Sequence, residues 1–90
     1  MEIFVQETPN PNARKFVLPQ LFFAEPANFP SVEAAAAHPL AAQLFALGGI
    51  YNVFWVQDFV TINKYPEVAW DPLIAQSEAV IRKCLLIDNQ

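Results

Sequence analysis

Alternation of apolar and polar residues is the most regular pattern in the chain, and it predicts two pairs of strands. The predicted strands are Glu2–Glu7, Arg14–Leu18, Ile50–Val56 and Phe59–Lys64. In the last of these, Val60 and Ile62 alternate with polar neighbours, which is the period of a strand with one buried face. Only Gln57 and Asp58 separate the last two strands. We therefore expect a tight hairpin in which Asp58 accommodates a positive φ.

Three segments carry helical signals. Ser31–Ala37 begins with a residue that suits an N-cap and continues with a run of alanines. Pro39 fits the first position of a second helix, whose leucines recur at i, i+4 and i+7. The two glycines of the chain end that helix, and we expect one of them in the left-handed conformation. The last helix is predicted to begin with Asp71 as N-cap and Pro72 at its first position.

The region between these two groups of signals is less regular. Leu21–Phe23 is predicted either as a short third strand or as an apolar edge, and Pro26–Pro30 as a connector. The resulting order is β-β-(β)-α-α-β-β-α over a single domain of residues 1–90. This order predicts the α+β class, as a small two-layer sandwich. Its antiparallel or mixed β-sheet carries the helices on one face.

Composition and charge narrow the function. Of the 90 residues 54% are hydrophobic, and the net charge is −4. The five basic residues form no stripe, so we expect no nucleic-acid partner. The hydrophobic share predicts that some apolar side chains stay exposed, either singly or as a partner surface. No apolar run reaches the ~18 residues of a membrane span, and no basic leader precedes the first strand. We therefore expect no membrane association and a cytoplasmic location.

Candidate catalytic and metal-binding residues are few. We expect Cys84, the one cysteine, to be a small buried residue on the apolar face of the last helix. His38, the one histidine, is expected in a structural or solvent-facing role. Asp58 and Asp71 have structural positions at a turn and a cap. Because neither a glycine-rich phosphate loop nor metal-ligand spacing is present, we predict a protein that is not an enzyme and has no catalytic or metal site.

Thr8–Asn12 is the most distinctive stretch. Its two prolines exclude a helix interior or a central strand, and an Asn side chain can bond the backbone two residues on, so the stretch predicts a stiff loop. With its flanks it reads ETPNPNARKF over residues 7–16. This resembles the opening signature of the N-terminal domain of Nfu/NifU-type iron–sulfur cluster scaffold proteins. The segments HPLA and QLF within residues 38–45, and residues 49–64, are similar to the same domain.

The resemblance implies a non-enzymatic accessory or protein-interaction module linked to iron–sulfur cluster assembly or delivery. In that family the cluster is carried by a Cys-x-x-Cys motif in a C-terminal domain, which this sequence lacks. Since clusters need several thiolates, we expect no cofactor in this chain alone. A stand-alone domain of this kind would rely on an iron–sulfur assembly protein, or on a separate Cys-x-x-Cys domain, for the cysteines.

We predict that a partner would bind at one of two places. The first is the loop, with Asn10, Pro11, Asn12 and Lys15 as candidate partner-binding residues, and the second is the apolar edge Leu21–Phe23, with Phe22. The alternative is a small-ligand or iron-ion-binding module without catalytic activity, which would use carboxylates and His38.

Overall fold

Within residues 2–87, the part of the chain that the computed structural model describes, five strands and three helices make up the fold. The strands are β1 (Phe4–Glu7), β2 (Ala13–Val17), β3 (Phe23–Phe29), β4 (Ile50–Gln57) and β5 (Phe59–Lys64). The helices are α1 (Val32–Ala35), α2 (Pro39–Ala46) and α3 (Trp70–Leu85). The predicted α+β class and order of elements are confirmed.

The strands form one sheet in the order β1-β2-β5-β4-β3, and each neighbouring pair is antiparallel. This places β5 at the centre, between β2 and β4. Phe16 of β2 lies opposite Val60 of β5, and Val60 lies opposite Trp55 of β4. All three side chains are buried, so this cross-strand row forms the middle of the core.

The helices cover one face of the sheet, as the sequence predicts for a two-layer sandwich. Leu40 and Leu44 of α2 and Leu73 and Ile81 of α3 belong to the same buried cluster as the inward residues of the strands. The alternate strand positions lie on the opposite face. The large apolar residues there are Phe4, Val17, Phe54, Val56 and Phe59, none of which is buried, whereas the small Ala13 on the same face is buried.

The third strand is longer and later than the sequence predicts. β3 starts at Phe23 and ends at Phe29, so it includes all but the last residue of the segment Pro26–Pro30 that the sequence predicts as a connector. The connector prediction was wrong. Proline cannot donate to a sheet ladder, but an edge strand tolerates it on its free side. β3 pairs only with β4, and its register shifts between Phe23 and Ala27, around the proline.

The chain reaches this distant edge by passing the β4–β5 turn. The amide of Leu18 donates to the carbonyl of Asp58 over 2.6 Å, and the amide of Phe22 donates to the carbonyl of Gln57 over 3.0 Å. In the turn itself Gln57, not Asp58, has the positive φ, of 56°. The prediction of a tight two-residue hairpin is confirmed, but the residue assigned to the left-handed position was wrong.

Local signals locate the first two helix starts but not the third. Ser31 caps α1 by accepting from the amide of Ala34 over 3.1 Å, although α1 is only four residues long and ends at Ala35. α2 begins at Pro39, as predicted. α3 begins at Trp70 with Ala69 at the cap position, so the prediction of Asp71 as N-cap was wrong.

Candidate functional site

The loop between β1 and β2 is held in shape by its own side chains. Thr8 Oγ1 accepts from the amide of Asn10 over 3.1 Å and donates to the carbonyl of Asn10 over 2.9 Å. Asn10 Oδ1 accepts from the amide of Asn12 over 2.9 Å, which is the local bond predicted for an asparagine. The carbonyl of Asn10 also accepts from the amide of Ala13. Together these bonds fix the loop without a partner.

Two distant residues attach this loop to the rest of the fold. Lys64, the last residue of β5, donates from its amide to the carbonyl of Asn12 over 2.8 Å and from Nζ to Asn12 Oδ1 over 3.0 Å. Trp70, the first residue of α3, donates from Nε1 to the carbonyl of Pro11 over 2.9 Å. Pro11, Asn12, Arg14, Lys64 and Trp70 are named the loop anchor here.

The loop anchor holds two cations with neutral partners. Lys64 is only 5% exposed, and its other oxygen partners are the carbonyls of Tyr65 and Pro66, at 3.4 and 3.5 Å. The Trp70 ring centroid lies 5.5 Å from Lys64 Nζ and 4.9 Å from the Arg14 guanidinium carbon, within cation–π range. Among residues 2–87 the one ion pair found joins Arg82 and Glu78 of α3. Within those residues, neither Arg14 nor Lys64 has a carboxylate oxygen within 4.0 Å.

The predicted partner-binding residues do not form one surface. Asn10 and Pro11 are exposed on the loop, and Asn12 is partly buried beneath it. Lys15 lies on the sheet face opposite the helices, where its Nζ sits 4.3 Å from the Phe59 ring centroid. Phe22 lies near the opposite edge of the sheet, where it packs partly buried against the core. Their role in binding stays a prediction.

Sequence reasoning did not select Lys64 or Trp70 as site residues. A signal for Lys64 existed, because it continues the inward series of Val60 and Ile62 along β5 and so falls on the buried face. Trp70 had no local signal that linked it to Pro11, since 59 residues separate them. Trp70 and Pro11 come together only because α3 packs beside the β1–β2 loop.

The side chains capable of catalysis or metal binding are dispersed. Cys84 is partly buried against the core from α3. The His38 ring lies 4.7 Å from the Trp55 ring and 5.9 Å from that of Phe29, between centroids, and it does not cap α2. In the described part of the chain, no group of three or more His, Cys, Asp or Glu could share a metal ion. The alternative function, binding of an iron ion, stays a prediction. Calorimetric titration of the chain with Fe²⁺ would test it.

The family model described as "Scaffold protein Nfu/NifU N terminal" matches residues 3–86. The chain belongs to this family. Its sequence is 39% identical over 83 residues to NifU-like protein 5, mitochondrial, of Arabidopsis thaliana, which covers 90% of this chain and 30% of that protein. It is 40% identical over 75 residues to the human NFU1 iron-sulfur cluster scaffold homolog, mitochondrial, with 81% of this chain and 30% of that protein covered.

Solved structures support the same assignment of this Nfu N-terminal domain. The solution structure of a NifU-like protein from Saccharomyces cerevisiae has a TM-score of 0.84 at 26% identity, over 97% of this chain and 80% of that chain. The crystal structure of protein SAV1430 from Staphylococcus aureus has a TM-score of 0.75 at 25% identity, over 90% of this chain and 99% of that one. The family resemblance inferred from residues 7–16 is confirmed.

The match to the curated relatives is partial in length. This domain spans less than a third of the mitochondrial relatives from Arabidopsis and human. Across residues 2–87 no helix is long and apolar enough to cross a membrane.

Proposed function

We propose that this Nfu N-terminal domain is a non-enzymatic protein-interaction module that serves iron–sulfur cluster assembly or delivery. The observation that carries the proposal is family membership over residues 3–86, with relatives named as iron–sulfur cluster scaffolds. In this role the domain binds another protein and does not itself transform a substrate. The proposal includes a cytoplasmic location for this interaction. The named plant and human relatives, by contrast, are mitochondrial.

The residues of the chain do not fit an iron–sulfur cluster as a resident group. Such clusters are held by several thiolates, and the chain has one cysteine, Cys84. Cys84 is partly buried in the packing of α3, which leaves little of it for a shared ligand set. In the proposed function, an iron–sulfur assembly protein or a separate Cys-x-x-Cys domain supplies the thiolates, and this domain supplies contact surface.

The shape of the loop anchor supports a role in recognition. A loop fixed by its own hydrogen bonds loses little conformational entropy when it is bound. Trp70 donates to the carbonyl of exposed Pro11, and Lys64 donates to Asn12, the next residue of the loop.

Affinity capture tests the proposed function. The tagged chain is used as bait in a lysate of its source cells, beside an unrelated domain of similar size and net charge. Captured proteins are quantified by mass spectrometry, and each cluster-assembly protein found is then purified and titrated against the chain. We expect enrichment of proteins that build, carry or receive clusters, with saturable binding in the titration. Recovery of no such protein above the control bait would overturn the proposal.

A further inference from the structure

A cleft opens at the end of the sheet where β4 begins and β5 ends. Its walls are formed by the start of α1, by Phe45 of α2, by Tyr51 of β4 and by Tyr65, the residue after β5. The volume of the cleft is about 420 Å³, which is within the range of small-ligand sites. This feature is named the tyrosine cleft.

Two tyrosines form the aromatic wall of the cleft. Tyr51 and Tyr65 are 38% and 48% exposed, and their ring centroids lie 5.4 Å apart with the ring planes tilted by 48°. Tyr51 is the extra residue where the register of β4 shifts between Ile50 and Asn52, and such a bulge re-aims a side chain. Aromatic rings attract cations over their faces, so this wall favours a positively charged ligand.

Glu33 gives the cleft its charge. Of the described residues that line the cleft, Glu33 alone is charged, and it lies in the first turn of α1. Within residues 2–87 its carboxylate has no nitrogen of Lys, Arg or His within 4.0 Å, since the one ion pair found there joins Arg82 and Glu78. The cleft therefore offers aromatic rings and an unpaired carboxylate to one ligand, and this combination suits a cation.

Two further charged residues lie close to Tyr65 in the chain. Lys64 is 5% exposed, and its Nζ donates to Asn12 Oδ1 and to the carbonyls of Tyr65 and Pro66. Glu67 is exposed and follows Tyr65 by two residues. The ammonium group in this segment is thus buried and bonded, whereas the carboxylate is exposed. The exposed charge of the segment has the same sign as that of the cleft, which favours a cationic ligand.

Arginine is the cation that this arrangement suits best. Its guanidinium group is planar, so it can lie against an aromatic ring and donate two hydrogen bonds to a carboxylate at the same time. The chain has two arginines, and both are engaged, since Arg14 lies over the Trp70 ring and Arg82 pairs with Glu78. A second copy of the chain would break one of these contacts on filling the cleft, whereas an arginine of another protein would not.

We propose that the tyrosine cleft binds an arginine side chain of a partner protein, stacked on the tyrosine wall and paired with Glu33. This proposal rests on the proposed function only for the existence of a protein partner. It adds a binding site at the end of the sheet where α1 begins. None of the residues predicted from the sequence to bind a partner lines this cleft.

Three synthetic peptides test the site. They share one short neutral sequence and differ only at its central residue, which is arginine, lysine or citrulline, the neutral isostere of arginine. Each is titrated at low salt into the ¹⁵N-labelled chain, and amide shifts are followed by NMR. We expect shifts centred on Glu33, Tyr51 and Tyr65. The arginine peptide is expected to bind about fivefold more tightly than the citrulline peptide, a difference of about 1 kcal/mol, with the lysine peptide between them.

Matched variants separate the two parts of the site. Glu33→Gln is expected to weaken the arginine peptide about threefold and to leave the citrulline peptide unchanged. Glu25→Gln removes an exposed carboxylate from β3 and is expected to change neither. Tyr65→Leu is expected to weaken the arginine peptide about threefold. Phe4→Leu, the same kind of change at an exposed ring of β1, serves as its control, and the dispersion of the amide spectrum shows that each variant is folded.

The proposal is wrong if no peptide binds at the cleft, if the arginine and citrulline peptides bind equally, or if lysine binds as tightly as arginine. It is also wrong if Glu33→Gln and Glu25→Gln have the same effect. Shifts of the cleft amides with chain concentration, in the absence of peptide, would assign the cleft to a second copy instead.

These results would leave the proposed function standing, because that function is tested by capture of cluster-assembly proteins and not by peptides. Conversely, arginine binding at the tyrosine cleft would stand even if the captured partners belonged to another process.

Discussion

Ser77 lies on the inward face of α3 with no exposure to solvent, and its hydroxyl finds no hydrogen-bond partner among residues 2–87. A buried hydroxyl without a partner costs free energy, and alanine has the higher helix propensity. Ser77→Ala is therefore expected to raise the free energy of unfolding by about 1 kcal/mol. Urea unfolding followed by circular dichroism measures this change.

Ser31 provides the opposite case for the same chemical change. Its hydroxyl accepts from the amide of Ala34 and caps α1. Ser31→Ala is expected to lower the free energy of unfolding by about 1 kcal/mol, because a helix amide loses its partner. If Ser31→Ala and Ser77→Ala shifted the unfolding midpoint in the same direction, the role assigned to one of the two hydroxyls would be wrong: that of Ser77 if both variants lost stability, and that of Ser31 if both gained it.

Lys64 shows how one buried side chain links two parts of the fold. Its stem is packed on the core side of the sheet, and its Nζ holds Asn12. Lys64→Ala removes both contributions and is expected to cost about 2–3 kcal/mol of unfolding free energy. Lys64→Met keeps most of the stem and is expected to cost about 1 kcal/mol, with faster amide exchange at Asn12.

The measurements for Lys64 are urea unfolding and hydrogen exchange, with exposed Lys83→Ala as control, expected within about 0.5 kcal/mol of the parent chain. Equal losses for Lys64→Ala and Lys64→Met would show that the stem contributes little and that the ammonium group carries the effect.

At the scale of elements, α2 turns into β4 at Gly48 and Gly49. Both glycines have positive φ, of 85° and 82°. A Cβ on Gly48 would meet nothing within 4 Å, whereas one on Gly49 would lie 2.9 Å from a methyl of Val68. The carbonyl of Gly49 also accepts from the amide of Tyr65, so this turn lies against the segment that leads to α3.

The two glycines predict a graded loss of stability. Gly48→Ala is expected to cost about 1–2 kcal/mol, from backbone strain alone. Gly49→Ala adds the contact with Val68 and is expected to cost about 1 kcal/mol more. Thermal and urea unfolding of the two variants gives the comparison directly. A Gly48→Ala variant less stable than Gly49→Ala would contradict the assigned role of the Val68 contact.

At the scale of the whole molecule, the order of strands determines which part of the sheet is the last to unfold. β5 is bonded on both sides and contributes Val60 and Ile62, both fully buried, to the core. α1 is four residues long and largely exposed. Amides of Val60 and Ile62 are expected to exchange only by global unfolding, and those of α1 at least about a hundredfold faster by local opening. Native-state hydrogen exchange read by NMR measures both, and comparable protection of α1 and β5 would contradict the prediction.

Besides the tyrosine cleft, the molecule has two distinct surfaces that a partner protein can reach. The loop anchor lies at one end of the sheet, where Trp70 of α3 and Lys64 of β5 meet the β1–β2 loop. The second surface is the sheet face opposite the described helices, which carries Phe4, Val17, Phe59 and Val56. Lys15 lies on the sheet face opposite the helices, although Arg14, its neighbour in β2, belongs to the loop anchor. Successive residues of a strand point to opposite faces of the sheet. A partner could therefore contact either surface without the other.

Much of the fold could be predicted from the sequence because its strongest signals are local. Period-2 alternation identified four strands, and proline and serine signals located the starts of α2 and α1. The family could be identified from residues 7–16 because that loop depends on its own side chains for its shape. Where the determining interactions span only a few residues, the sequence by itself determines the structure.

Tertiary structure alone decided the rest. β3 runs through Pro26 because its edge position leaves the proline side unpaired, and strand order cannot be inferred from local pattern. Gln57 takes the positive φ while the chain passes alongside the turn from Leu18 to Phe22. The loop anchor is likewise assembled from residues tens of positions apart. Contacts of that separation depend on how the layers pack, and a periodic pattern specifies only which side of each element is buried.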